Sequence, residues 1–139
     1  MKKYIPAILF IGATLLQADF YPWGNYKNDE STLELSPKYV GQVHYRIAPM
    51  SFNGNMCTEI EGDLPLKKLN KYEMMAAFVP SKKVGTATDA IDGTPITHKQ
   101  CKVLGFSILD GKVKVFTEGC EAALCGMGVS YDGVYEKVK

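Results

Sequence analysis

The side chains able to do chemistry are few. The histidines are His44 and His98, and the cysteines are Cys57, Cys101, Cys120 and Cys125. Glu59, Glu61 and Asp63 fall two residues apart, so in a strand their three carboxylates share one face as an acidic stripe. His98 precedes Cys101 by three residues, and with Cys120 and Cys125 it supplies the ligand types of a zinc site if the cysteines are reduced. Of the six methionines, the five beyond Met1, Met50, Met56, Met74, Met75 and Met127, offer soft ligands for Cu(I), but their irregular spacing suits core filling better. Ser51, Ser107 and Ser130 lack the Gly-x-Ser-x-Gly elbow that exposes a nucleophilic hydroxyl. Carboxylates two apart on the wet face of a strand read as solvated charges before they read as a glycosidase pair. Phosphate loops, dinucleotide fingerprints and Cys-x-x-Cys motifs are absent from the sequence. The reading leans away from an enzyme and calls for no cofactor.

Compartment decides how the cysteines are read. Lys2 and Lys3, the apolar run over residues 4–16 and the small residue Ala18 make the three parts of a secretory signal peptide, with cleavage expected near Ala18. The run is short of the ~20 residues of a spanning helix, so no stable membrane anchor is expected after processing. The released chain is of single-domain length and nearly neutral. A single arginine, Arg46, gives no electrostatic footprint for nucleic acid. In the periplasm or outside the cell, four cysteines read as two disulfides. The spacing favours Cys120 with Cys125, closing a short loop, and Cys57 with Cys101, tying the middle of the chain to its C-terminal third.

The elements that must position these groups read as strands. Residues 19–36 form an aromatic segment and polar linker in which Pro22, Gly24 and Asn25 forbid a helix. Its Phe20, Tyr21, Trp23 and Tyr26 are expected to plug one end of a barrel or sandwich; Trp23 and Tyr26 are alternatively a contact patch. The domain proper is placed at 37–139. Residues 39–47 alternate, with Tyr39, Val43, Tyr45 and Ile47 on one face and Gln42, His44 and Arg46 on the other. A turn at Asn53-Gly54 leads into a strand over 56–64. Residues 65–71 read as helical or irregular, followed by strands at 72–79 and 83–89, and 89–100 is the longest loop. Asp110-Gly111 between alternating runs marks a hairpin over 103–117, and Asp132-Gly133 marks a second over 128–138. Between them residues 119–128, GCEAALCGMG, read as a helical turn or loop held at the surface.

The fold class expected is mainly β: a small, disulfide-stapled antiparallel barrel or sandwich of about six to eight strands. The function expected is a non-catalytic binding module. Its candidate contacts are Trp23, Tyr26, the stripe Glu59, Glu61 and Asp63, and Ala122, Ala123 and Leu124 of the bridged loop. In size, export and disulfide usage the chain resembles bacterial periplasmic lysozyme inhibitors, small β-barrels that insert a loop into a cationic hydrolase. That resemblance is of class, with no motif matched residue by residue. It implies a protein partner of basic charge, toward which the acidic stripe would steer. The alternatives are a metal-binding or redox protein using His98, Cys101, Cys120 and Cys125, and a small hydrolase depending on His44 or His98.

Overall fold

The computed structural model describes residues 20–49 and 55–139. The leader expected over 1–18, Met50, Ser51 and the Asn53-Gly54 turn lie outside them. The chain runs β1 Gly24–Lys27, β2 Ser31–Pro37, β3 Gln42–Pro49, β4 Ile60–Asn70, β5 Glu73–Phe78, a 3-10 turn at Pro80–Lys82, β6 Thr88–Asp89, β7 Val103–Leu109, β8 Lys112–Glu118, a single helical turn α1 Glu121–Leu124, and β9 Gly133–Lys137. Eight strands close a barrel: β1 pairs β2, then β3, β4, β5, β7, β8 and β9 follow, and β9 returns to β1, every pair antiparallel. Closure removes the unpaired strand edges that an open sheet would expose. Short β6 adds to β4 at Ile60 and Glu61, where β5 has splayed away.

Period-two alternation explains the interior. Leu33 and Leu35 of β2, Val43, Tyr45 and Ile47 of β3, Leu104, Phe106 and Ile108 of β7, and Val113 and Val115 of β8 all point inward and are buried. Tyr26, Tyr45, Tyr131 and Tyr135 are fully buried with them, so the barrel is filled by its own side chains. Each ring keeps its hydroxyl bonded to a carbonyl: Tyr26 to Pro22, Tyr45 to Thr86, Tyr131 to Thr58 and Tyr135 to Tyr131. Burial holds every one of these phenols above its usual range, Tyr26 and Tyr135 up to about 12.

Of the N-terminal aromatics, Tyr26 is built into the wall, Phe20 and Trp23 pack partly buried against the core ahead of β1, and Tyr21 is exposed. Residues 20–36, placed ahead of the domain by the sequence, supply β1 and β2, and Tyr26 is 1% exposed inside the barrel. Residues 28–30 are a turn between two barrel strands. Residues 65–71 belong to β4, whose pairing with β5 runs from Leu66 with Ala76 to Asn70 with Glu73. Cross-strand pairing overrides the helix preference of Leu, Lys and Met. The hairpin closes on Lys71-Tyr72, with the Asn70 side chain accepting from the Tyr72 amide at 2.7 Å. The strand expected over 83–89 shrinks to Thr88–Asp89, and the one over 56–64 begins only at Ile60. The first Asp-Gly hairpin stands as expected, Leu109 facing Lys112. The second does not form: Val129 and Tyr131 enter the core instead, and only Gly133–Lys137 is a strand.

Both disulfides form, in another pairing: Cys57–Cys125 and Cys101–Cys120. A β-bridge brings Cys57 and Cys125 face to face, which leaves Cys120 to pair with Cys101 at the end of the long loop. The chain alternates between two barrel ends. The three tight turns at 38–41, 71–72 and 110–111 lie at one, with residues 20–23. Residues 79–102 and 119–132 lie at the other, together with both disulfides. Two disulfides fit an oxidising extracellular or periplasmic setting. Among the described residues no helix is long and apolar enough to cross a membrane.

Candidate functional site

The displayed element framed by both disulfides is residues 120–128 at the loop end. Cys120 precedes α1 and is tied to Cys101, while Cys125 follows it and is tied to Cys57, so each side of a four-residue helix is pinned to a different part of the barrel. Leu124 is the buried anchor, and its carbonyl accepts from the Thr58 amide at 2.6 Å. The Gly126 amide donates to the Met56 carbonyl at 3.1 Å, and the Asn55 side-chain amide donates to the Met127 carbonyl at 3.2 Å. The Glu121 carboxylate accepts from the Thr117 and Ser130 hydroxyls, holding the base of the turn. What this frame leaves outward is Ala122, Ala123, Met56 and Met127, the last 89% exposed. The result is a small apolar knob on a pinned backbone.

Acidic residues rim it on one side, while the Lys102 side chain packs against Gly119 at the other. Glu118 and Asp132 are exposed at the loop's two bases, and Asp29 and Glu30 occupy the β1–β2 turn at the same end. Gly133 places Asp132 beside that turn, since a Cβ there would stand 3.2 Å from the Asn28 side chain.

The acidic stripe sits elsewhere, on the outer wall, and is paired with the polar face of β3. His44 Nδ1 lies 2.8 Å from Asp63 Oδ1, with Lys38 Nζ 3.8 Å from the other oxygen. Arg46 binds Glu59 through Nε and reaches Glu61 at 3.6 Å. The Glu59 contact raises the guanidinium further above its already high range. The stripe therefore spends its charge within the barrel wall.

Strand register also puts Ser36, His44 and Asp63 in one row over β2, β3 and β4. Base and orienter meet there as in a hydrolytic triad. The backbone amides of β3 are committed to its neighbours on both sides, so β3 offers this wall no free backbone donor for an oxyanion. Ser107 is bonded to Glu73 and Ser130 to Glu121.

Of the other sequence candidates, Tyr26 is core. Trp23 is half-buried and lines a groove of about 440 Å³ at the turn end, against Tyr39, Val40, Leu66, Lys68 and Met74. Tyr39, expected on the inner face, is 72% exposed because β3 begins only at Gln42. His98 is exposed, beside Lys82 and Lys102. All four cysteines are in disulfides and present no thiolates. Among the described residues, no three His, Cys, Asp or Glu side chains gather as a metal shell. Sequence reasoning missed Met56, Asp29, Glu30 and the groove around Trp23, because only barrel closure gathers the first three at the loop end and lines Trp23 up with Tyr39 and Leu66 at the turn end.

The fold and this site define a closed, side-chain-filled antiparallel barrel that displays a disulfide-pinned loop. A scan of family models and searches of curated proteins and of solved structures each find no match to the chain.

Proposed function

We propose that the chain is a non-catalytic binding module of an oxidising compartment that engages a protein partner through the pinned knob at residues 120–128. One observation carries this: Ala122, Ala123 and Met127 are held outward on a backbone fixed by two disulfides. A loop pre-ordered in this way loses little entropy on docking. Exposed methionine suits an apolar pocket of varied shape. The partner is a cationic wall hydrolase of the lysozyme type, because the acids nearest the knob complement a basic cleft rim. Steering by the Glu59–Glu61–Asp63 row is weakened, since Arg46, His44 and Lys38 already answer it. The test is titration of the oxidised chain into a lysozyme-type hydrolase by calorimetry. Binding that Ala123→Arg weakens by ~2 kcal/mol or more supports the reading, in the range of a central interface position. No heat at either temperature of a two-temperature titration removes it.

A further inference from the structure

The barrel end opposite the disulfides carries a different chemistry. Three exposed tyrosines stand there, each with a lysine ammonium near its ring: Lys38 at 5.7 Å from Tyr39, Lys71 at 5.2 Å from Tyr72 and Lys137 at 5.3 Å from Tyr21. Two pairs come from Lys-Tyr dipeptides in the β2–β3 and β4–β5 turns. The third arises where the N-terminal segment crosses the end of β9, the Lys137 ammonium also donating to the Tyr21 carbonyl. Aliphatic side chains occupy the same tips. Val40 is 79% exposed and Leu69, at the irregularity in the β4–β5 pairing, is exposed as well. Exposed Lys67 joins Lys71 on the β4–β5 hairpin, and residues 64–72 contain no acid. Of the acids at this end, Asp63 is held by Lys38 and His44, Glu73 accepts from Ser107, Glu136 stands across from Lys112, and Asp110 stands at the β7–β8 turn.

We propose that this end docks on an anionic lipid bilayer surface. Tyrosine suits the headgroup layer, with its ring toward the acyl chains and its hydroxyl in the wet zone. Lysines beside the rings meet lipid phosphates, and attraction to anionic lipid is greatest within a Debye length of the surface. Val40 and Leu69 at turn tips reach the acyl boundary, as the apolar face of an interfacial element does. These two residues decide against an acidic glycan, which would leave aliphatic tips in water. Docked this way, the barrel points its pinned knob away from the membrane.

Trp23, the sole tryptophan of the chain, lines the groove between the two turns and reports on docking. The experiment mixes the full disulfide-bonded chain with vesicles of phosphatidylglycerol and phosphatidylcholine, or phosphatidylcholine alone, reading sedimentation and Trp23 emission. Binding to the anionic vesicles with a blue shift is expected, weakened about tenfold in Val40→Asp/Leu69→Asp and lost by degrees with added salt. Lys67→Glu/Lys71→Glu, which leaves every buried residue in place, weakens it similarly, while Met127→Glu at the far end binds as wild type. Equal vesicle binding by both turn-end variants overturns the proposal. A Trp23 shift with soluble polygalacturonate and none with vesicles overturns it in favour of a glycan site.

Discussion

Gly62 shows what a single atom does in this barrel. It faces inward on β4, where the backbone of Thr86 and Ala87 crosses it, and a Cβ there would lie 1.9 Å from the Thr86 carbonyl oxygen. That same oxygen accepts from the Tyr45 hydroxyl, so it cannot retreat without opening that bond. Gly62→Ala is expected to destabilise by about 3 kcal/mol or more in urea denaturation, the upper range of overpacking. Gly105 makes the contrast. Its missing Cβ is covered by the ring of Phe116, its cross-strand partner, at 2.0 Å. That ring is partly exposed and free to swing, so Gly105→Ala is expected to lose only about 1 kcal/mol by the same measurement. On the outer wall, Arg46→Ala should change stability by less than about 1 kcal/mol, because exposed ion pairs contribute little.

At the scale of elements the disulfides rank themselves. Cys57–Cys125 closes 68 residues and Cys101–Cys120 closes 19. In the chain-entropy account the first restricts the unfolded chain by about 4 kcal/mol and the second by about 3. Paired alanine variants in thermal unfolding should follow that order, and only the Cys57→Ala/Cys125→Ala variant should also release the far side of the displayed loop. Much of the element map was legible in the sequence. The alternation of Val43, Tyr45 and Ile47 and the Asp110-Gly111 turn located β3 and the β7–β8 hairpin, since both signals are local. Residues 65–71 misled because Leu66, Lys68 and Leu69 are good helix formers alone and become a strand only when Leu66 and Lys68 pair with Ala76 and Met74. The disulfide pairing misled for the same reason: proximity in sequence favoured Cys120 with Cys125, whereas barrel closure brings Cys57 to Cys125. The loop at 119–128 was legible as a displayed element, yet its acidic rim was not, because Asp29 and Asp132 meet only when β9 pairs with β1.

For the whole molecule the four buried tyrosines set a pH limit. Unfolded tyrosines titrate near 10, whereas burial holds Tyr26 and Tyr135 up to about 12 and Tyr45 and Tyr131 higher still. Between those values the folded chain keeps protons that the unfolded chain has released, so stability is fully present below pH 10 and falls as pH rises above it. Each phenol contributes a slope of about 1.4 kcal/mol per pH unit. The urea midpoint should therefore hold level from pH 7 to 9 and drop steeply from 10 to 12. The two ends of the barrel divide the remaining roles, an acidic rim with a pinned apolar knob at one and Lys-Tyr turns at the other. The claim that the knob binds a cationic wall hydrolase is tested most directly by the rate at which a lysozyme-type enzyme clears a cell-wall suspension in the presence of the oxidised chain. The account predicts that lysis slows in proportion to added chain and recovers with Ala123→Arg. Lysis at full rate with saturating chain, or inhibition unchanged by Ala123→Arg, would contradict it.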